Sequence, residues 1–277
     1  MDFTYKVTKN RENLLTLQEK VIFVMSLPVN TYFTSRATVR KFDHTRQLSA
    51  EMLTTLLAAA SHAPNTGNMQ TYCAIVSATP DEVAALAPAH FSQPAASGAQ
   101  ALVTFCADLN RFNRWCRLNN AEPGLDNLQG FLWAAMDATI FAQQFVTVAE
   151  QAGLGTCYLG TTTYNAAQIA ETLDLPVGVV PVITVAVGWP AEMPKQPTER
   201  LPLDAVVHVG KYHNPSDGEI REMYAEEEAL PANREFVAAN GKENLAQVFA
   251  QIRYPKEANE HFSRVYREFI KSKGIEI

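Results

Sequence analysis

Ser35-Arg36-Ala37-Thr38-Val39-Arg40-Lys41-Phe42 and, further along, Pro64-Asn65-Thr66-Gly67-Asn68-Met69-Gln70 are the stretches on which the reading of this chain turns. In the first, two guanidiniums and a hydroxyl sit close together in the chain. Arginine offers a planar fork of donors that matches phosphate oxygens two at a time, so Arg36, Thr38 and Arg40 can hold a phosphate dianion. The second stretch is rich in primary amides. An amide carries a donor and an acceptor on one side chain, so Asn65, Asn68 and Gln70 suit the edge of a polar heterocycle. Taken singly, each stretch also has an ordinary reading. Arginines four apart commonly line a solvated helix face, and Pro, Asn and Gly after an apolar helix are common punctuation.

Taken together they point to a flavin nucleotide, whose pyrimidine edge presents acceptor, donor, acceptor. The rest of the chain leaves room for one. Its 277 residues, 47% of them hydrophobic, allow a sizeable core. Its 23 basic and 29 acidic residues give a net charge of -6, which disfavours general nucleic-acid or anionic-membrane binding but permits a local basic pocket. Cys73, Cys106, Cys116 and Cys157 form no CxxC pair, and three of them fall in strand-like apolar runs, as reduced packing residues do. No metal-binding spacing, GxGxxG or GxxxxGK[ST] occurs, which counts against a Rossmann dehydrogenase or a P-loop enzyme.

Alternating helical and strand-like stretches imply an α+β or α/β domain. Residues 49–62 read as a helix capped by Ser49. Residues 71–78, 101–107, 156–160 and 179–187 read as strands, with short helices at 80–87 and 165–173, the latter capped by Asn165. Residues 128–152 read as a helix apolar nearly all round, which must be covered by its own domain or by another subunit. Asp137, Gln143, Gln144 and Glu150 interrupt it too often for a membrane span. The apolar run 21–29 reads as a packed helix rather than a leader, because acidic residues precede it and no small-x-small cleavage site follows. Prolines mark 190–204 as an excursion, and the composition then turns acidic and peripheral. Residues 255–273 carry Phe262, Val265, Tyr266, Phe269 and Ile270 on one stripe, suited to core or interface.

In this order the pieces resemble the nitroreductase family of FMN-dependent oxidoreductases, in its branch of larger flavin reductases. The likeness runs from about residue 34 to residue 209 and is weaker in the tail. It rests on the two opening stretches, Phe105-Cys106-Ala107-Asp108-Leu109-Asn110-Arg111, Gly153-Leu154-Gly155-Thr156-Cys157-Tyr158-Leu159-Gly160, and Val187-Gly188-Trp189-Pro190 with Arg200-Leu201-Pro202. The resemblance implies a single α+β domain with a mainly antiparallel central sheet flanked by helices, and an extension over 210–277. It implies a homodimer with a flavin at each subunit interface.

By the same resemblance Arg36, Thr38, Arg40 and Arg200 hold the FMN phosphate and ribityl chain. Asn65, Gly67, Asn68, Gln70 and Gln93 line the flavin, and Tyr158, Leu159, Gly160 and Thr161 run beside its ring, where a backbone amide can donate to N5. Ala37 and Thr198 depart from the branch's polar and cationic residues. The implied activity is a ping-pong hydride transfer from NAD(P)H through FMN to a small acceptor such as a nitroaromatic, quinone or flavin, in the cytoplasm, with no side chain as general acid. No histidine stands at catalytic spacing. A non-catalytic FMN-binding sensor or store would use the same residues. Lys211, Arg221, Arg234, Lys242 and Arg253 stand in no distinctive motif, so the choice between NADH and NADPH stays open.

Overall fold

A computed structural model describes residues 31–193 and 199–277. The expected helix over 21–29 and residues 194–198 of the proline-rich excursion, Thr198 among them, lie outside the described residues. The chain divides into two compact units at Arg36. Of the first, the described part is the short helix α1, Tyr32–Ser35, ended by Arg36, whose N–H donates to the Tyr32 carbonyl.

The second unit is built on four strands: β1 (Tyr72–Ser77), β2 (Ala101–Asp108), β3 (Gly155–Leu159) and β4 (Val179–Gly188). They pair antiparallel throughout in the order β1-β2-β4-β3, as the resemblance implies. Every residue of β2 is buried, which is why it reads as an unbroken apolar run: helices cover both of its faces. Pro181 sits inside the central strand β4, opposite a register shift between Phe105 and Cys106. Its missing N–H costs no ladder bond on the β3 side, because β3 pairs only with 184–188.

Around the sheet the chain order is α2 (Ala50–Ala60), α3 (Pro80–Leu86), α4 (Pro94–Ser97), α5 (Leu109–Leu118), α6 (Leu128–Gln151), α7 (Ala166–Thr172) and α8 (Leu203–Val206). The extension adds α9 (Asp217–Ala229), α10 (Pro231–Ala239), α11 (Leu245–Val248) and α12 (Lys256–Ser272). Ser49 caps α2 as its sequence predicts, accepting from the Met52 N–H at 3.1 Å. Asn165 does not cap α7: its side-chain amide donates instead to the Ala89 carbonyl at 2.8 Å, tying two loops together. Helix α5, which periodicity alone did not delineate, is capped by Asp108.

On one face α2 and α6 pack on the sheet through Leu53, Leu56, Phe141 and Phe145, with Phe105 perpendicular to Phe141 at 5.1 Å. On the other, Leu86, Leu102, Leu159 and Ile169 form a second cluster. The terminal stripe packs into the core, as its spacing predicts, with Val265 left exposed. Phe269, Ile270 and Ile275 are buried beside Cys106 and Val180, Tyr266 donates to the Pro181 carbonyl at 3.1 Å, and Phe262 stacks on Tyr164. Burial holds the Tyr266 phenol far above its ordinary pKa. All four cysteines are free thiols. No helix among the described residues is long and apolar enough to cross a membrane.

Candidate functional site

Residues 37–40 alternate inward and outward, and Phe42 turns back in. Ala37, Val39 and Phe42 are buried, while Thr38 is half-buried and Arg40 exposed. The segment runs beside β3, with the Val39 N–H donating to the Thr156 carbonyl at 3.0 Å. Its close approach requires Gly155, where a Cβ would fall 2.6 Å from Val39. Beyond it, Phe42 bridges to Pro190 and the Asp43 N–H donates to the Trp189 carbonyl at 2.8 Å, so the two sequence motifs lock to each other. Burial raises the Cys157 thiol pKa and the Arg40 guanidinium draws it back, which puts Arg40 in electrostatic reach of β3.

Residues 158–161 continue from β3 into a 3₁₀ turn, Gly160–Thr163. The Tyr158 hydroxyl donates to Gln143 on α6 at 3.2 Å, and Leu159 is buried as a wall. A Cβ at Gly160 would meet nothing within 4 Å, so its backbone faces open space. Gln93 is exposed at the N-terminus of α4. Its loop is pinned to this turn twice, through Asn165 to Ala89 and through His90, whose Nδ1 lies 3.0 Å from the Thr161 hydroxyl. Phe91 and Ser92, between His90 and Gln93, both adopt left-handed backbone, uncommon for side chains of their kind.

The amide loop takes a contorted path, with Gly67, Asn68 and Gln70 all at positive φ. Asp137 holds it: this carboxylate, buried in the middle of α6, accepts from the Thr66 N–H and hydroxyl at 3.0 Å each. From the other side Arg111 donates to the carbonyls of Gln70 and Tyr72, the latter at 3.0 Å. The Gln70 amide donates toward Asn68, and its N–H toward Asn65. A cavity of about 320 Å³ opens beside the loop, lined by Ser61, Met69, Gln70, Tyr72, Arg111 and Phe141. Burial, and then the Asp137 charge, push the Tyr72 phenol up.

The structure thus lays Thr38 and Arg40 beside the start of β3, ties the loop that carries Gln93 to the turn that follows the strand's end, and holds the loop of Asn65, Gly67, Asn68 and Gln70 against α6 through Asp137. Arg36 belongs to the first unit. Arg200 lines a separate cavity with Met223, Glu226 and Glu227 of α9. A larger cavity of about 610 Å³, lined by His44, Arg46, Ser97 and Gln100 among others, makes a poorer site because its polar groups are committed. Gln100 bonds the backbone at Asp43, Arg46 and Trp189, and Arg46 stacks 3.5 Å above Trp189. Among the described residues no cluster of His, Cys, Asp or Glu could hold a metal ion.

Sequence reasoning assigned no role to three residues that shape this region: Asp137, Arg111 and His90. Asp137 left a local signal as a carboxylate inside an apolar helix and Arg111 as the end of a quoted motif, whereas His90 left none.

The sequence model of the Nitroreductase family matches residues 33–189. The Bacillus subtilis protein named FMN reductase (NADPH) is 31% identical over 196 residues, spanning 70% of this chain and 77% of its own length. The crystal structure of a Bacteroides fragilis protein, 42% identical, superposes with a TM-score of 0.87 over 90% of this chain and all of its own. The NfrA1 nitroreductase of B. subtilis, 25% identical, superposes with a TM-score of 0.76 over 89% of this chain and 99% of its own. The antiparallel sheet, the two motifs locked across Phe42 and Pro190, and these matches have one reading: the chain belongs to the nitroreductase family.

Proposed function

We propose that this chain, an NAD(P)H-dependent FMN oxidoreductase of the nitroreductase family, reduces flat, electron-poor small molecules such as nitroaromatics, quinones or flavins in a ping-pong cycle. The observation that carries the proposal is the Val39–Thr156 hydrogen bond, which lays Thr38 and Arg40 beside β3, the strand that ends in residues 158–161. The donor set fits a flavin nucleotide. Arg40 supplies charge and Thr38 a hydroxyl for the phosphate, with Arg36 assigned from the motif's sequence and Arg200 from the resemblance. Asn65, Asn68 and Gln70 supply paired amide functions, and Gly160 leaves its backbone approachable. Held by these residues, FMN would supply the redox chemistry, relaying two electrons between nicotinamide and acceptor.

The protein's part is to orient and to exclude water. Leu159 forms an apolar wall, and backbone N–H groups at the start of the 3₁₀ turn are available to developing negative charge. No side chain is assigned as general acid. Relatives named FMN reductase (NADPH) and NADPH-dependent oxidoreductase favour NADPH as the donor.

The same reading calls for a second copy of the chain. Leu128, Leu132, Met136 and Ile140 recur every fourth residue along α6, each 41–51% exposed, on the helix that anchors the amide loop. A partner covering this stripe would lie on the helix that holds the loop. The free thiols suit a reducing cytoplasm.

An anaerobic visible spectrum tests the central claim. A bound-flavin band that NADPH bleaches, and that a quinone or nitroaromatic restores, is the expected result. A band that neither NADPH nor NADH bleaches would make the protein a flavin sensor or store, and failure to take up FMN would overturn the reading.

A further inference from the structure

His90 is wholly buried, and among the described residues only one of its ring nitrogens has a partner: Nδ1 meets the Thr161 hydroxyl oxygen at 3.0 Å, and Nε2 meets none. Burial lowers its pKa to about 4, so the ring is neutral near pH 7 and carries a single proton. The position of that proton follows from what is left unpaired. A buried N–H without an acceptor is rarer and costlier than a buried lone pair without a donor. The proton therefore sits on Nδ1 and is donated to Thr161, while the bare lone pair of Nε2 faces the core.

The consequence falls on Thr161. Its oxygen already accepts from His90, and no acceptor among the described residues takes its hydroxyl hydrogen. The side chain is half-buried, next to Gly160 where the backbone faces open space. We propose that the Thr161 hydroxyl is a dedicated hydrogen-bond donor to the edge of the flavin ring, and that His90 is the positioning residue that aims it. This rests on the FMN reading above. It differs from the backbone contacts that the resemblance implies, since here a side chain reads the ligand and a core histidine sets its polarity.

The test begins with the flavin-free protein, where ¹⁵N chemical shifts of the His90 ring report the tautomer. Nδ1–H is expected, and Nε2–H would overturn the proposal. FMN titration of Thr161→Val, which keeps the shape without the hydroxyl, should give a dissociation constant roughly tenfold weaker, the scale of one hydrogen bond. It should also shift the visible band of bound FMN, and Thr161→Ser should restore both. His90→Leu should match Thr161→Val, and the double variant should be no worse than either single one. Should His90→Leu fail to fold, the two Thr161 variants still decide. Wild-type protein that binds FMN while Thr161→Val binds equally tightly with an unchanged band overturns this proposal alone. Wild-type protein that takes up no FMN overturns the functional reading instead.

Discussion

Asp137 and Thr66, 71 residues apart, are joined through one buried carboxylate that accepts both the N–H and the hydroxyl of the threonine. A charge in the middle of an apolar helix is costly unless it is fully bonded, and here the bonds it needs are those that hold the amide loop. Asp137→Ala should lower stability in urea by about 2 kcal/mol, the scale of hydrogen bonds to a charged group. It should also weaken FMN binding, because Asn65, Asn68 and Gln70 lose their fixed path. Unchanged affinity in a destabilised protein would detach the loop from the cofactor.

Arg40 is exposed and Val39 beside it is buried, so charge and packing can be separated. Arg40→Ala should leave the urea midpoint in place while weakening FMN by about 10- to 100-fold, one charge-assisted contact. The loss should shrink as salt rises. An affinity that does not change would remove Arg40 from the phosphate site.

Two glycines of neighbouring segments should respond in opposite ways. At Gly155 an added Cβ falls 2.6 Å from Val39, so Gly155→Ala must push residues 37–42 off β3 and should cost about 1–3 kcal/mol in urea. At Gly160 a Cβ meets nothing among the described residues, so Gly160→Ala should keep its stability and lose FMN affinity by occupying the approach to the ring. Full affinity in Gly160→Ala would place the ligand elsewhere.

His90 gives the fold an acid limit. Its folded pKa of about 4 lies below the ordinary 6.5, so the unfolded chain binds the proton more readily. The stabilising contribution is complete above pH 6.5 and is lost as pH falls from there through 4. The full difference is about 3 kcal/mol. Urea titrations of the wild type and His90→Gln at pH 7 and pH 4 should show the variant losing less stability. Equal losses would assign the acid sensitivity to depressed carboxylates such as Glu219, whose pKa is held at about 2 by bonds from Ser216 and His213.

If α6 is a subunit contact, Met136→Glu with Ile140→Glu should shift sedimentation toward the monomer and reduce FMN uptake in parallel, leaving the buried side of the helix untouched. A variant that sediments like the wild type would leave the stripe without a partner.

The sequence by itself determined whatever depends on neighbours along the chain. The four strands and the longer helices packed on them, α5 apart, followed from hydrophobic period, the α2 cap from Ser49, and the family from five short motifs in order. Local chemistry also marked Arg40, Thr38 and the amides as groups able to bind a nucleotide. What it left out depends on contacts between distant segments. No pattern in the chain says that Asp137 meets Thr66, or that His90 meets Thr161, because each pair is made by packing a helix or turn against a loop 71 residues away in the chain. Asn165 illustrates the same limit. Its residue type suits a helix cap, yet the tertiary fold put the Ala89 carbonyl within reach of its amide, and that bond took it.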